Sequence, residues 1–318
     1  MTDAGSITFA DQALAAVELR DVTLRDGLQL TGKVLPTEHK LRVARGLLAA
    51  GVPSIEIGAM ARPDLVPPMA NTLEVVAGLS EAELERSWVW VATPRSIRRA
   101  LDAGARNFSY CLSVSDAHNR ANVGRSTRES VEAMADAIAM VHDAGGRIQL
   151  TLATTFTCPF EGVIAPERVL EIANDPATAG ADDIVLCDTI GQAVPAQVAQ
   201  LVGLVRAETS ARRIAFHGHD TWGLGVANTI AAAQVGATMV DGALGGLGGC
   251  PFAPGASGNA SSEDILFALR PSWLTPEVFG SLLSLGEGVL EAVGEQNRSR
   301  AAEGARRGAG TFEWVRRV

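Results

Sequence analysis

The run Leu47-Leu48-Ala49-Ala50-Gly51-Val52-Pro53-Ser54-Ile55-Glu56-Ile57-Gly58 decides the fold. Its first residues close a segment that opens near Thr37, an N-cap candidate, and places Leu41, Val43, Ala44, Leu47 and Leu48 on one helical face. Gly51 suits the position after a helix, where the backbone turns left-handed, and Val52–Gly58 reads as a strand. The same junction returns at Gly104-Ala105, Gly180-Ala181 and Gly236-Ala237. To either side, strands are expected over Val17–Val22, Trp88–Ala92, Asn107–Ser113, Arg147–Thr154, Asp183–Cys187, Arg213–Phe216 and Thr238–Ala243. Helices are expected over Arg95–Ala103, Thr127–Ala144, Glu167–Ala179, Ala196–Glu208 and Thr221–Gln234, with the weakest helical signal between Met69 and Gly78.

Strict strand–helix alternation implies parallel strands joined by right-handed crossovers. Eight such units in about 250 residues fit an α/β fold of the closed (β/α)8 type, a TIM barrel. A doubly wound open sheet is the rival, but no Gly-rich phosphate fingerprint follows the first strand. Residues 1–270 are expected to form the catalytic barrel. Residues 271–318 should add C-terminal helices, Pro276–Ala292 the clearest, and an Arg-containing tail from Arg298 exposed to solvent.

Composition narrows the function. With 47% hydrophobic and 20% charged residues, the chain of 318 residues has ordinary globular composition. A net charge of −9 without a concentrated basic stripe argues against nucleic-acid binding, and no apolar run is long enough to span a membrane. The opening residues, with Asp3 and Asp11, show neither a basic start nor a long apolar core, so a cytoplasmic location is expected. Cys111, Cys158, Cys187 and Cys250 are widely spaced, as free thiols would be.

In a barrel of this kind the active site gathers where the strands end. Arg25 and Asp26 follow strand one, Glu56 lies near the end of strand two, Asp188 follows strand six, and His217-Gly218-His219 ends strand seven. A long loop, Gly245–Asn259, follows strand eight and holds Cys250. Alternate residues of a strand face the same side, so His217 and His219 can meet at one point and, with a carboxylate, bind a divalent metal. A helix-capping or core histidine is the competing reading. Asp26 is the natural carboxylate, unless it only pairs with Arg25, and Asn259 offers an amide oxygen suited to Mg or Mn. Such a donor set does not by itself choose among Mg, Mn, Co and Zn. Arg25 puts a fixed positive charge where an oxyanion can develop, or forms an ordinary ion pair. Cys250 reads as a general acid, a nucleophile or a small hydrophobe, and Glu56 as an orienting group or a helix cap. The polar stretch from Ser113 to Asn122 reads as a loop, one in which Arg120 meets a phosphate or a generic polar loop without that role.

These residues resemble the 3-hydroxy-3-methylglutaryl-CoA lyase family, within a larger group of metal-dependent lyases and Claisen-type condensing enzymes on TIM barrels. The matching segments are Arg25-Asp26-Gly27-Leu28-Gln29, Ile55-Glu56, Val66-Pro67-Pro68-Met69, Cys158-Pro159-Phe160-Glu161-Gly162, Asp188-Thr189-Ile190-Gly191 and His217-Gly218-His219-Asp220. The loop Gly246–Asn259 with Glu263-Asp264 is the most specific to the lyase branch. The resemblance implies metal ligands at Asp26, His217, His219 and Asn259, an enolate-stabilising arginine at Arg25, a catalytic cysteine at Cys250 and an essential glutamate at Glu56. It further implies retro-Claisen cleavage of an acyl-CoA to acetyl-CoA and a 3-oxo acid, with His217 or Asp26 near the departing proton, and a homo-oligomer, as relatives are often dimers. Ile57–Asp64 and Leu30–Lys33 depart from the family's usual sequence at the barrel mouth, so a related 3-hydroxyacyl-CoA is a second expected substrate. A condensing enzyme or aldolase acting on 2-oxo acids, and an acyl-CoA-binding barrel without turnover, are the other readings.

Overall fold

The computed structural model describes residues 14, 16–209, 212–249 and 258–306. Eight parallel strands close into a barrel: β1 (Glu18–Asp21), β2 (Ser54–Ala59), β3 (Ser87–Val91), β4 (Asn107–Ser113), β5 (Arg147–Ala153), β6 (Asp183–Asp188), β7 (Arg213–Gly218) and β8 (Met239–Gly242). Each strand pairs with its sequence neighbours, and β1 closes the ring on β8 with Glu18 opposite Met239 and Asp21 opposite Gly242. The expected (β/α)8 architecture is what the chain adopts.

Strand registers explain what each residue faces. In β1, Leu19 and Asp21 point to the surrounding helices, where Ser262 Oγ donates to Asp21 Oδ2 at 2.6 Å, while Arg20 points into the lumen. In β7 and β8 the inward set is Ala215, His217, Met239 and Asp241; Ala215 and Met239 join Val185 and Cys187 in a small apolar cluster apart from the main core. The rest of the lumen combines polar side chains with the Trp88 ring. Asp183, Gln149, Arg20, Asp241 and His217 form a hydrogen-bonded column drawn from five strands. Arg20 is 2% exposed and sits over the Trp88 ring at 5.8 Å.

Local departures have local causes. Thr37 is the first residue of the helix Thr37–Ala49 rather than its cap, and its hydroxyl donates to Glu74. The stretch read as a polar loop holds a helix, Asp116–Val123, started by Ser115, whose Oγ accepts from the His118 amide. Arg120 there is paired with Asp116 at 2.8 Å on an exposed helix face, which accounts for its charge without a phosphate. After β5 a two-stranded hairpin, Thr157–Cys158 with Gly162–Val163, intervenes before the next helix. The weak segment resolves into a short turn, Pro67–Met69, and a helix, Thr72–Gly78.

Beyond the barrel, helices Ser262–Leu269, Pro276–Val293 and Arg300–Arg306 pack against it, contributing Leu266, Leu282, Leu290 and Ala302 to the main core. The segment from Arg298 is therefore not wholly solvated. Arg298 donates to the Gly246 carbonyl, and Asp264 accepts from Ser299 Oγ at 2.8 Å and from the Ala301 amide at 2.6 Å. Among the described residues no helix is long and apolar enough to cross a membrane.

Candidate active site

Three sequence-distant elements build the site. Immediately after β1 the chain makes a single π-helical turn, Thr23–Gly27, in which the Gly27 amide donates to the Val22 carbonyl. Such one-turn π segments concentrate at functional positions. Here it places Arg25 and Asp26 side by side above the lumen. At the end of β7, alternation returns His217 and His219 to the same side, with ring centroids 5.2 Å apart. Asn259 then pairs with His219 in an isolated antiparallel bridge, bringing the end of the long loop against β7.

Asp26, His217 and His219 each offer a ligand atom, and these atoms all lie within 4.8 Å of one another. The Asp26 carboxylate is the hub. Oδ1 accepts from Arg25 Nη1 and from Gln29 Nε2 at 2.7 Å; Oδ2 accepts from Asn259 Nδ2 at 3.0 Å and lies 3.3 Å from His219 Nε2. Burial opposes the charge on Asp26, but the adjacent Arg25 guanidinium and the two histidines outweigh it and hold the carboxyl below its ordinary range. All four candidate ligands are buried, none more than 8% exposed.

The donor set suits a divalent cation. Among the described residues, His219 Nδ1 and Asn259 Oδ1 are buried without a hydrogen-bond partner, which a polar atom at this depth avoids unless something else satisfies it. Two imidazoles, a carboxylate and an amide oxygen fit Mg, Mn, Co or Zn.

Arg25 is held on three sides. Beyond Asp26, its Nε lies 3.5 Å from Glu56 Oε2, an ion pair without hydrogen-bond geometry, and its guanidinium carbon stands 5.0 Å from the centre of the Trp90 ring. The cavity in front of it is lined by Gln29, Glu56, Trp90, Cys111, Thr189 and Gly249 together with the histidines. Cys111 and Cys187 lie at its inner end; burial pushes the Cys111 thiol up to about 11 and holds the Cys187 thiol well above its ordinary value, so both are packing groups at neutral pH. Asp188 does not join the cluster, because its oxygens accept from the amides of Gln192 and Ala193 at 3.0 Å. Cys250 lies outside the described residues, which resume at Gly258.

The structure adds residues that the sequence patterns passed over. Asp241 Oδ2 lies 3.0 Å from His217 Nδ1, and both Asp241 oxygens accept from Arg20. Gln29 holds Asp26, and Trp90 supports Arg25. The available signal was charge in an unexpected place: Arg20 follows Leu19 within a strand and Asp241 stands between Val240 and Gly242, positions where a charged residue, once buried, needs a buried partner.

The HMGL-like family profile matches residues 16–283. The chain is 39% identical over 263 residues to an (R)-citramalyl-CoA lyase of Chloroflexus aurantiacus, covering 80% of this chain and 83% of that one. It also resembles the solved hydroxymethylglutaryl-CoA lyase of Bacillus subtilis, with a TM-score of 0.83 and 34% identity over 90% of this chain and 97% of that one. A third neighbour is an HMG-CoA lyase of Acinetobacter baumannii in complex with coenzyme A and 3-methylmalate, with a TM-score of 0.82 and 31% identity over 91% of this chain and 95% of that one.

Proposed function

The chain belongs to the HMGL-like family, and from that premise we propose that it is a carbon–carbon lyase cleaving a 3-hydroxyacyl-CoA to acetyl-CoA and an oxo acid, with a divalent metal held by Asp26, His217, His219 and Asn259. The observation that carries the reading is the convergence of three ligand atoms within 4.8 Å, beside a guanidinium fixed against Glu56 and Trp90. Mg or Mn is the proposed ion, because two of the four ligands are hard oxygen donors. When bound, the ion supplies Lewis-acid polarisation of the substrate's hydroxyl and carboxylate oxygens.

The chain's own groups then divide the work. The proton that leaves the C3 hydroxyl departs beside Asp26 and His217, which line this part of the cavity. As the C3 carbonyl forms, the C2–C3 bond breaks and its electron pair passes to the thioester as an enolate. Arg25, already fixed at the cavity wall, stabilises the negative charge growing on the thioester oxygen with little reorganisation. Cys250 returns a proton to C2, completing the methyl group of acetyl-CoA. Glu56 positions Arg25 through their ion pair.

Two acyl groups fit this chemistry, methylglutaryl and citramalyl, which share a methyl-bearing tertiary alcohol β to the thioester. The 39% identity to a citramalyl-CoA lyase supports including the shorter one. The test is a panel of 3-hydroxyacyl-CoA thioesters incubated with the protein and Mg or Mn. Acetyl-CoA should appear with acetoacetate from the methylglutaryl thioester or pyruvate from the citramalyl thioester; release from neither, with the ion bound, would contradict the reading.

A further inference from the structure

The column of buried polar side chains inside the barrel ends on one candidate ligand only. His217 Nδ1 lies 3.0 Å from Asp241 Oδ2, whereas His219 Nδ1 is buried with no hydrogen-bond partner among the described residues. Asp241 is in turn clamped by Arg20, whose Nε donates to Oδ1 at 2.9 Å and whose Nη2 donates to Oδ2 at 2.7 Å. Arg20 is itself fixed through Nη1, which donates to Gln149 Oε1 and to Ser109 Oγ at 3.3 Å, and Gln149 Nε2 donates to Asp183 Oδ2 at 2.8 Å. Every member from Arg20 to Asp183 is at most 2% exposed. Ion pairs buried this deeply are weak sources of stability compared with apolar packing, so the arrangement calls for another account.

We infer that Asp241, locked by Arg20, is a positioning residue that fixes His217 in the tautomer carrying its proton on Nδ1 and its lone pair on Nε2, the nitrogen left for the cluster with Asp26 and His219. An ionised carboxylate only accepts hydrogen bonds, so the imidazole must donate from Nδ1. That leaves Nε2 as the basic atom, whether it meets a cation or a proton. Arg20 makes the choice one-sided, because its two donors occupy both carboxylate oxygens and hold the group against rotation. The inference rests on the metal-centre reading for its use but not for its geometry.

The test compares the wild-type protein with Asp241→Asn and with Arg20→Met/Asp241→Asn. In Asp241→Asn the amide NH2 meets an Arg20 donor in either orientation, and when it takes the place of Oδ2 it also meets His217 Nδ1, which then has to accept. Nitrogen-15 NMR of the metal-free protein at mildly alkaline pH should show the wild-type His217 proton on Nδ1 and a shift toward Nε2–H in Asp241→Asn. The affinity for Mn2+ alone, read by calorimetry or electron paramagnetic resonance, should fall about 10–100-fold. Removing the Arg20 donors in the double variant should recover unfolding temperature without recovering Mn2+ affinity, which separates positioning from folding. A wild-type spectrum with the proton on Nε2, or a double variant that regains both stability and Mn2+ affinity, would overturn the inference. If Asp241→Asn fails to fold, the wild-type spectrum still decides. A wild-type protein that binds no Mn2+ would sink the metal-centre reading instead, and the tautomer would remain measurable.

Discussion

Asn259 and His219 lie 40 positions apart in sequence yet form an isolated antiparallel bridge, and Asn259 Nδ2 reaches Asp26 Oδ2 at 3.0 Å. Through this bridge the far end of the long loop after β8 becomes part of the first and seventh strand ends.

Gly248 makes that approach possible. Its φ is +125°, and a Cβ there would sit 2.5 Å from Asn259 Nδ2 and 3.2 Å from the Asp26 carbonyl oxygen. Gly248→Ala should therefore push the Asn259 amide aside and add backbone strain of about 1–3 kcal/mol. The expected result is weaker Mn2+ binding in a titration, with the barrel still folded. Unchanged affinity would remove Asn259 from the ligand set.

Arg25 is a planar fork placed between Asp26, Glu56 and Trp90, a setting that a lysine ammonium does not reproduce. Arg25→Lys is expected to lower kcat about 10²–10³-fold, the range for losing a main oxyanion contact. Mn2+ affinity should change far less. Steady-state kinetics paired with metal titration check both, and an equal fall in the two would make Arg25 a structural partner of Asp26 only.

Cys250→Ala should abolish nearly all turnover while leaving Mn2+ binding intact, because a proton donor is lost and no ligand is. Full activity in the variant would remove Cys250 as the acid.

Glu263 is fully buried, accepting from the Gly245 amide at 2.9 Å and Ser261 Oγ at 2.7 Å, and burial raises its carboxyl from 4.5 to about 7. A raised folded-state value favours the protonated form, so its contribution is present below pH 4.5 and lost as pH rises toward about 7. Glu263→Gln should flatten this part of the stability curve, a change on the order of a few kcal/mol. Denaturant melts across that window measure it; an identical slope in the variant would assign the pH dependence elsewhere.

How much of this was legible beforehand depends on whether the signal is local. The strand Asn107–Ser113 and the helix Thr127–Asp143 match their expected limits to within a residue, because alternation, caps and helix-ending glycines act over a few positions. The helix Asp116–Val123 was hidden by its polar composition, although Ser115 is a good N-cap. Asp26, His217 and His219 were visible as polar residues at strand ends. Arg20 and Asp241 were not, since they stand 221 positions apart and only barrel closure brings β1 against β8. A strand buried on both faces gives no periodic cue to which residues look inward.

In the proposed function, cleavage depends on an ion held by the Asp26, His217 and His219 cluster. The most direct test is to strip the protein with a chelator and follow acetyl-CoA release from methylglutaryl-CoA and citramalyl-CoA as Mn2+ or Mg2+ is returned, beside Asp26→Asn. Stripped protein should be inactive, the added ion should restore wild-type release, and Asp26→Asn should neither bind the ion tightly nor regain activity. Cleavage at the full rate by stripped protein, or by His217→Ala that no longer binds the ion, would contradict that dependence.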